Sequence, residues 1–216
     1  MDTEQARFNM VEQQIRTWEV LDPEVLDLLF SVRREEFVPA AYLMLAFADL
    51  EIPLPGGERM WTPKMEARVV QELKLKPGES VLEIGTGSGY LTALMASRNA
   101  HVTSVEIDAR LSAGAKQKLA RAGLPRVELV VGDGAHGWGT TSYDAIVLTG
   151  STPILPDAFV NQLNPGGRVF AVVGEAPAMT ARMVRCVAAG SMTAQDLFET
   201  VIEPLKNAAA PSRFRF

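Results

Sequence analysis

The stretch V-L-E-I-G-T-G-S-G-Y-L-T-A, residues 81–93, decides the fold. A short apolar run enters a turn with glycine at 85, 87 and 89, then continues without a breaker. That pattern predicts a buried strand, a tight turn and a helix over residues 90–97. Glycine permits positive φ and a close approach between backbone and ligand. The helix behind it offers unsatisfied N–H groups at its start. Dinucleotide folds hold a pyrophosphate at such a turn on the spacing G-x-G-x-x-G. Here the spacing is G-x-G-x-G, Tyr90 takes the place of the third dinucleotide glycine, and Glu83 lies just ahead of the first. A carboxylate at the mouth opposes a diphosphate and suits a cationic ligand. The alternative is a strand-to-helix turn that binds nothing.

Downstream, strands and helices keep alternating. H-V-T-S-V-E-I (101–107) is a β-branched strand, and Asp108 caps a helix reaching about residue 122. Strands follow over 127–133 and 143–150, a short helix over 156–163, and a fifth strand over 168–174. A late strand over 181–188 is expected to run antiparallel to the fifth. Upstream the chain reads as helical. Phe8, Val11, Ile15 and Trp18 recur on one face, and Val25, Leu28 and Leu29 follow an Asp22-Pro23 start. Three prolines and two adjacent glycines make 51–63 a loop. Met65, Val69, Val70 and Leu73 then mark a helix stopped by Lys76-Pro77-Gly78. The predicted class is α/β, a doubly wound and mostly parallel sheet with an N-terminal helical extension. Residues 1–78 form the extension and substrate-side loop, and 79–216 the ligand-binding core, as one compact domain.

Composition narrows the function. The 216 residues carry a net charge of −5 with one cysteine and two histidines. An internal disulfide is impossible, and a conventional zinc site is not available. At this length folding buries roughly 70% of the extended chain's surface, enough for a core without staples. The acidic balance argues against nonspecific nucleic-acid binding. The apolar run over 38–48 is too short to span a membrane and reads as a buried packing segment. The polar start lacks the pattern of a signal peptide, which points to the cytoplasm.

Three successive strands bring a carboxylate toward one edge of the sheet. Glu106 lies about 20 residues after Gly85, where an acid holds a ribose diol in this architecture. Its other reading is a helix-entry or surface carboxylate. Asp133, in G-D-G-A-H-G-W, is either a ligand contact or a turn residue bonding its own backbone. With Glu83, these acids favour a nucleoside that carries positive charge and no phosphate. His136 reads as a loop histidine, His101 as structural, Cys186 as a small core hydrophobe, and Trp18 and Trp138 as core. Arg33-Arg34 with Glu35-Glu36 reads as a solvated helix face, as does the cluster of Lys116, Lys118, Arg121 and Arg126. The tail over 206–216 reads as a mobile terminus, with Phe214 and Phe216 as docking candidates.

These residues resemble the S-adenosylmethionine site of class I methyltransferases. The segments R-F-N-M-V-E-Q-Q-I-R, R-E-E-F-V-P, V-L-E-I-G-T-G-S-G-Y, G-D-G-A-H-G-W and Q-L-N-P-G-G-R-V together resemble the protein-L-isoaspartate O-methyltransferase family. The resemblance covers residues 7–174. It implies S-adenosyl-L-methionine as cofactor, held by Glu83, Gly85, Thr86, Gly87, Ser88, Gly89, Glu106, Ile107, Asp133 and Gly134. The 85–89 turn would pass under the methionine moiety, Glu106 would bind the ribose hydroxyls and Asp133 the adenine amine. Met60, Trp61, Thr62 and Thr149 are the implied substrate-side residues, and isoaspartyl proteins the implied acceptor. An ionised carboxylate acceptor needs no general base, so no catalytic side chain is assigned. Two departures stand out. The family's G-Q-T-I-S-x-P becomes G-E-R-M-W-T-P, with Trp61 at the serine position, and V-R-F-V-P-L becomes T-V-I-E-P-L, with Val201 for arginine and an added Glu203. They leave two alternatives open: a methyltransferase with another acceptor, and a protein that binds the cofactor without turnover. A dinucleotide oxidoreductase is the remote alternative.

Overall fold

In the computed structural model, residues 2–124, 126–188 and 190–209 are described. The expectations for Phe214 and Phe216, and for the tail from residue 210, lie outside the described residues. Helix α1 (Thr3–Asn9) starts at Asp2, whose carboxylate accepts from the Glu4 and Gln5 amides. The helix then widens into a π-helical turn over Met10–Ile15 and tightens over Arg16–Trp18. This change of pitch breaks the predicted single stripe, because each extra residue in a π turn rotates the following side chains. Met10, Val11 and Ile15 are fully buried, Phe8 is exposed and Trp18 only half-buried. Helix α2 (Pro23–Ser31) is capped by Asp22 and buries Val25, Leu26, Leu28 and Leu29.

The run over 38–48 is not the buried segment its composition predicts. Ala40–Leu45 winds as a 3₁₀ helix with none of its residues buried, and burial resumes only at Ala46 and Phe47. With three residues per turn, Leu43, Met44 and Leu45 point in different directions and cannot share one core. The expected loop contains a small antiparallel pair, β1 (Ile52–Pro53) and β2 (Arg59–Met60). Thr62 caps helix α3 (Pro63–Leu73), whose predicted face of Met65, Val69, Val70 and Leu73 is buried.

Strand β3 (Ser80–Ile84) leads through the glycine turn into α4 (Tyr90–Ser97). Then come β4 (His101–Glu106), α5 (Ala109–Arg121, capped by Asp108), β5 (Glu128–Val131), β6 (Tyr143–Leu148) and α6 (Asp157–Asn161). The chain ends in β7 (Leu163–Glu175), β8 (Ala178–Ala188) and β9 (Ser191–Glu199). The strands form one sheet in the order β5-β4-β3-β6-β7-β8-β9. Strands β3 to β7 pair parallel, and β8 and β9 run antiparallel. The winding runs outward from β3 to β5, then returns to β6 on the other side of β3. That reversal is a switch point of the kind where open α/β sheets bind ligands. Strand β7 starts ahead of the Asn164-Pro165-Gly166-Gly167 breaker and absorbs it as a register shift, so the predicted helix before it is shorter. β9 has no counterpart in the sequence reading.

The described chain falls into two units. One takes residues up to Gly78 with Thr86–Ala100 and Asp108–Val127, and the other takes Glu79–Gly85, His101–Ile107 and the chain from Glu128 onward. Helices α4 and α5 thus belong to the same unit as the N-terminal residues. In the sheet unit, Leu82, Ile84, Val105, Ile146, Leu148 and Val169 pack with Phe159 of α6, Cys186 and partly buried Trp138.

In the helical unit, R-R-E-E is solvated only at Arg33 and Glu36, while its two middle residues turn inward. Arg34 is buried, paired with Glu66, and donates to the carbonyls of Ala46 (3.0 Å) and Trp61 (2.6 Å). Its guanidinium lies 5.2 Å from the centre of the Tyr90 ring. Burial pulls Arg34 down to about 10, still far above neutrality, so it stays charged. Arg7 is also buried and pairs with Glu4 and Glu35. Lys118 departs from the solvated cluster too: burial lowers its pKa, and its ammonium donates to the Phe37 carbonyl at 2.7 Å. Removing the cation alone strands a buried carboxylate. Arg34→Met is therefore expected to cost about 3–5 kcal/mol in urea unfolding, and Arg34→Met with Glu66→Leu to recover most of it. A double variant no more stable than the single would contradict this.

Candidate functional site

The sheet unit brings Glu83, Gly85, Glu106, Asp133, Gly134 and Thr149 to the C-terminal ends of adjacent strands. Gly85 has φ of +97°, and a Cβ there would overlap Thr149 Oγ1. The Thr149 hydroxyl lies 2.9 Å from the Ile84 carbonyl and 2.7 Å from that of Gly85. The Gly85 amide donates to the Val105 carbonyl at 2.8 Å, so strands on both sides of β3 hold the turn's first residue. In the helical unit, the turn continues through Thr86 and Ser88, both buried. Ser88 Oγ accepts from the Tyr90 amide at 3.2 Å.

Glu83 is not at an open mouth. It is fully buried, and Ser104 of β4 donates to it at 2.6 Å. Strand alternation explains the placement: Leu82 and Ile84 join the core on one face, so Glu83 points to the other. Glu106 ends β4 and is 4% exposed, which rules out the surface-carboxylate reading. Ile107 beside it is exposed.

Asp133 is the turn residue that its alternative reading foresees, with a second partner. One carboxylate oxygen accepts from the Ala135 amide at 3.0 Å, the other from the Asn207 side chain at 2.8 Å. Those two bonds, with a weaker attraction to His136, hold its pKa below the usual carboxylate range. Such a group stabilises the fold above its unfolded value of about 3.9, and the contribution is lost as pH falls through the lower folded value. In the rest of G-D-G-A-H-G-W, His136 is exposed and the glycines serve packing. The Trp138 ring lies where a Gly132 side chain would be, and a Cβ on Gly134 would come 2.7 Å from Ile84 Cδ1.

Of the residues implied for the substrate side, Met60 and Trp61 are buried at 3% and 6% exposure. The Trp61 carbonyl is the one that Arg34 holds, and Thr62 is occupied as the α3 cap. The 51–63 loop lies on the glycine turn: Leu54 Cδ1 would be 3.4 Å from a Cβ on Gly87. Leu54, Arg34, Leu205 and Asn207 were not among the candidate residues. For Leu54 a signal existed, since the prolines at 53 and 55 stiffen its backbone. The others depend on partners far away in sequence.

The sheet order, switch point and glycine turn define a class I methyltransferase fold. A Plasmodium falciparum chain assigned to the protein-L-isoaspartate O-methyltransferases, solved with S-adenosyl-L-homocysteine, shares it. The TM-score is 0.79 at 18% identity, covering 95% of this chain and 98% of that one. The model of the protein-L-isoaspartate(D-aspartate) O-methyltransferase family matches residues 5–209. The protein-L-isoaspartate O-methyltransferase of Methanoculleus marisnigri is 40% identical over 78% of this chain and 77% of its own length. That of Methylorubrum populi is 38% identical over 80% and 81%. The chain belongs to the protein-L-isoaspartate(D-aspartate) O-methyltransferase family, whose cofactor is S-adenosylmethionine.

Gly85→Ala should destabilise the protein by about 1–3 kcal/mol from backbone strain, with the overlap on Thr149 adding to it. Adding Thr149→Ala should recover only part of the loss, because the φ penalty stays. Calorimetric melting checks this, and a Gly85→Ala protein as stable as the parent would contradict it.

Proposed function

We propose that this protein is an S-adenosylmethionine-dependent O-methyltransferase acting on the free carboxyl of isoaspartyl residues in damaged proteins. The observation that carries the reading is the glycine turn at the switch point, where no side chain fits at Gly85, with buried Glu106 ending the next strand. The residues suit the cofactor's chemistry. Glu106 would accept from the ribose hydroxyls and Asp133 from the adenine amine, flanked by Ile107 and Gly134. The 85–89 backbone, with Thr86 and Ser88, would take the methionine part, and Glu83 would add negative charge beside a cation. Bound there, S-adenosylmethionine supplies a methyl group made electrophilic by its sulfonium.

The protein's own share is positioning and exclusion of water. An isoaspartyl carboxyl is ionised near neutral pH, so it attacks without help from a base. Thr149 holds the turn still and Thr62 holds the start of α3, so both hydroxyls serve the frame. Met60 and Trp61 then shape the acceptor side. Trp61 and Glu203 favour a second reading, in which the acceptor is something other than an isoaspartyl carboxylate. Indole is bulkier than the family's serine hydroxyl, and a carboxylate repels a carboxylate acceptor. Among the described residues no helix is long and apolar enough to cross a membrane.

Radiolabelled cofactor with an isoaspartyl peptide, and with its aspartyl twin, separates these readings. The expected result is a base-labile methyl ester on the isoaspartyl peptide alone. Activity that appears only in Trp61→Ser would favour the second reading. Cofactor binding without transfer in either protein would leave a binding protein without turnover.

A further inference from the structure

The segment from Ile202 to Asn207 crosses the ligand edge of the sheet. Ser151, just past β6, anchors one end. Its amide donates to the Glu203 carbonyl at 2.9 Å, its hydroxyl to the Ile202 carbonyl at 3.1 Å, and its carbonyl accepts from the Leu205 amide at 2.9 Å. The Leu205 side chain packs on Gly150, where a Cβ would come 2.9 Å from Leu205 Cδ2, and lies 4.0 Å from a Cβ on Gly85. The chain turns at Asn207, which has φ of +61°, and the Asn207 amide donates to Asp133 beyond β5 at 2.8 Å. In the sheet order β5-β4-β3-β6, the two anchors stand at opposite ends of a four-strand span of roughly 14 Å. The ends of β3 and β4, with Gly85 and Glu106, lie between them.

We propose that this segment is a strap over the cofactor site and that Asn207 competes with the cofactor's adenine amine for Asp133. The proposal rests on the reading of Asp133 as the adenine acceptor given above. Both contestants are amine-type N–H donors, and Asp133 Oδ1 is already committed to its own turn through Ala135. Oδ2 is the oxygen that Asn207 takes. Admission of cofactor therefore exchanges one hydrogen bond for another and swings Leu205 off the turn. Free protein is held closed, and the apparent affinity is the open form's affinity multiplied by the fraction of chains that are open.

The test is calorimetric and stopped-flow titration of the full chain with S-adenosylhomocysteine. Asn207→Gly removes the side-chain amide and tolerates the left-handed backbone. It is expected to bind about three- to tenfold tighter and to associate faster, the span one net hydrogen bond commands. Asn207→Asp sets a carboxylate against Asp133 and is expected to move binding the same way. Asp133→Ala removes a bond from the free and from the bound protein alike, so its effect is read in the Asn207→Gly background, where it is expected to weaken binding. Asn207→Gly added to Asp133→Ala is expected to change nothing, because the two act through one contact. Weaker binding of the double variant than of Asn207→Gly, together with unchanged or weaker binding in both Asn207 single variants, overturns the strap alone. Unchanged binding when Asp133→Ala is added to Asn207→Gly overturns the adenine reading and the strap with it.

Discussion

Between the ends of β3 and β6 there is room for a hydrogen atom and none for a methyl group. The Thr149 hydroxyl fills the place of a side chain at Gly85 and bonds the carbonyls on either side of the strand end. This contact fixes where the chain leaves the sheet. It falls at the point where the winding reverses, the place where open sheets of this kind leave a crevice. The carboxylates of the family site are then brought to that edge by ordinary strand register, since Val81, Leu82, Glu83 and Ile84 pair in step with Val102, Thr103, Ser104 and Val105.

Glycine serves two different purposes in this molecule. At Gly85 it leaves room for a neighbour's hydroxyl. At Gly132 it leaves room for the Trp138 ring, which also packs against the sheet core. The first frees the backbone at a strand end and the second seats a ring against the core. Asp133 lies between these uses. Its carboxylate orders its own turn and ties down a distant segment, and it is kept ionised by those same bonds.

The alternation of strand and helix was legible because its signals are local. β-Branched runs, Asp caps at 22 and 108, and the glycine turn each act within a few residues. What escaped depends on distant partners or on small changes of winding. R-R-E-E reads as solvated until Glu66, 32 residues away, is seen to pair with Arg34. The π-helical turn after α1 puts the residues that follow it out of step with Phe8 without any breaker in the sequence. S-M-T-A-Q-D-L-F-E forms the edge strand β9 while remaining mostly exposed, so it carries no alternation of apolar and polar residues. At the site, the turn and the carboxylates were readable from spacing. The burial of Glu83 was not, nor the bond from Asn207 to Asp133, 74 positions apart.

Two of the proposed acceptor-side residues already have structural work: Thr62 caps a helix and the Trp61 carbonyl is held by Arg34. All of this presupposes that the switch-point edge takes a sulfonium nucleoside and not a dinucleotide. Parallel calorimetric titrations of the unmodified chain with S-adenosylmethionine and NAD test that most directly. The expected result is saturable one-to-one binding of S-adenosylmethionine and none of NAD. Tighter binding of NAD, or no S-adenosylmethionine binding up to about 1 mM, which corresponds to only about 4 kcal/mol, would contradict it.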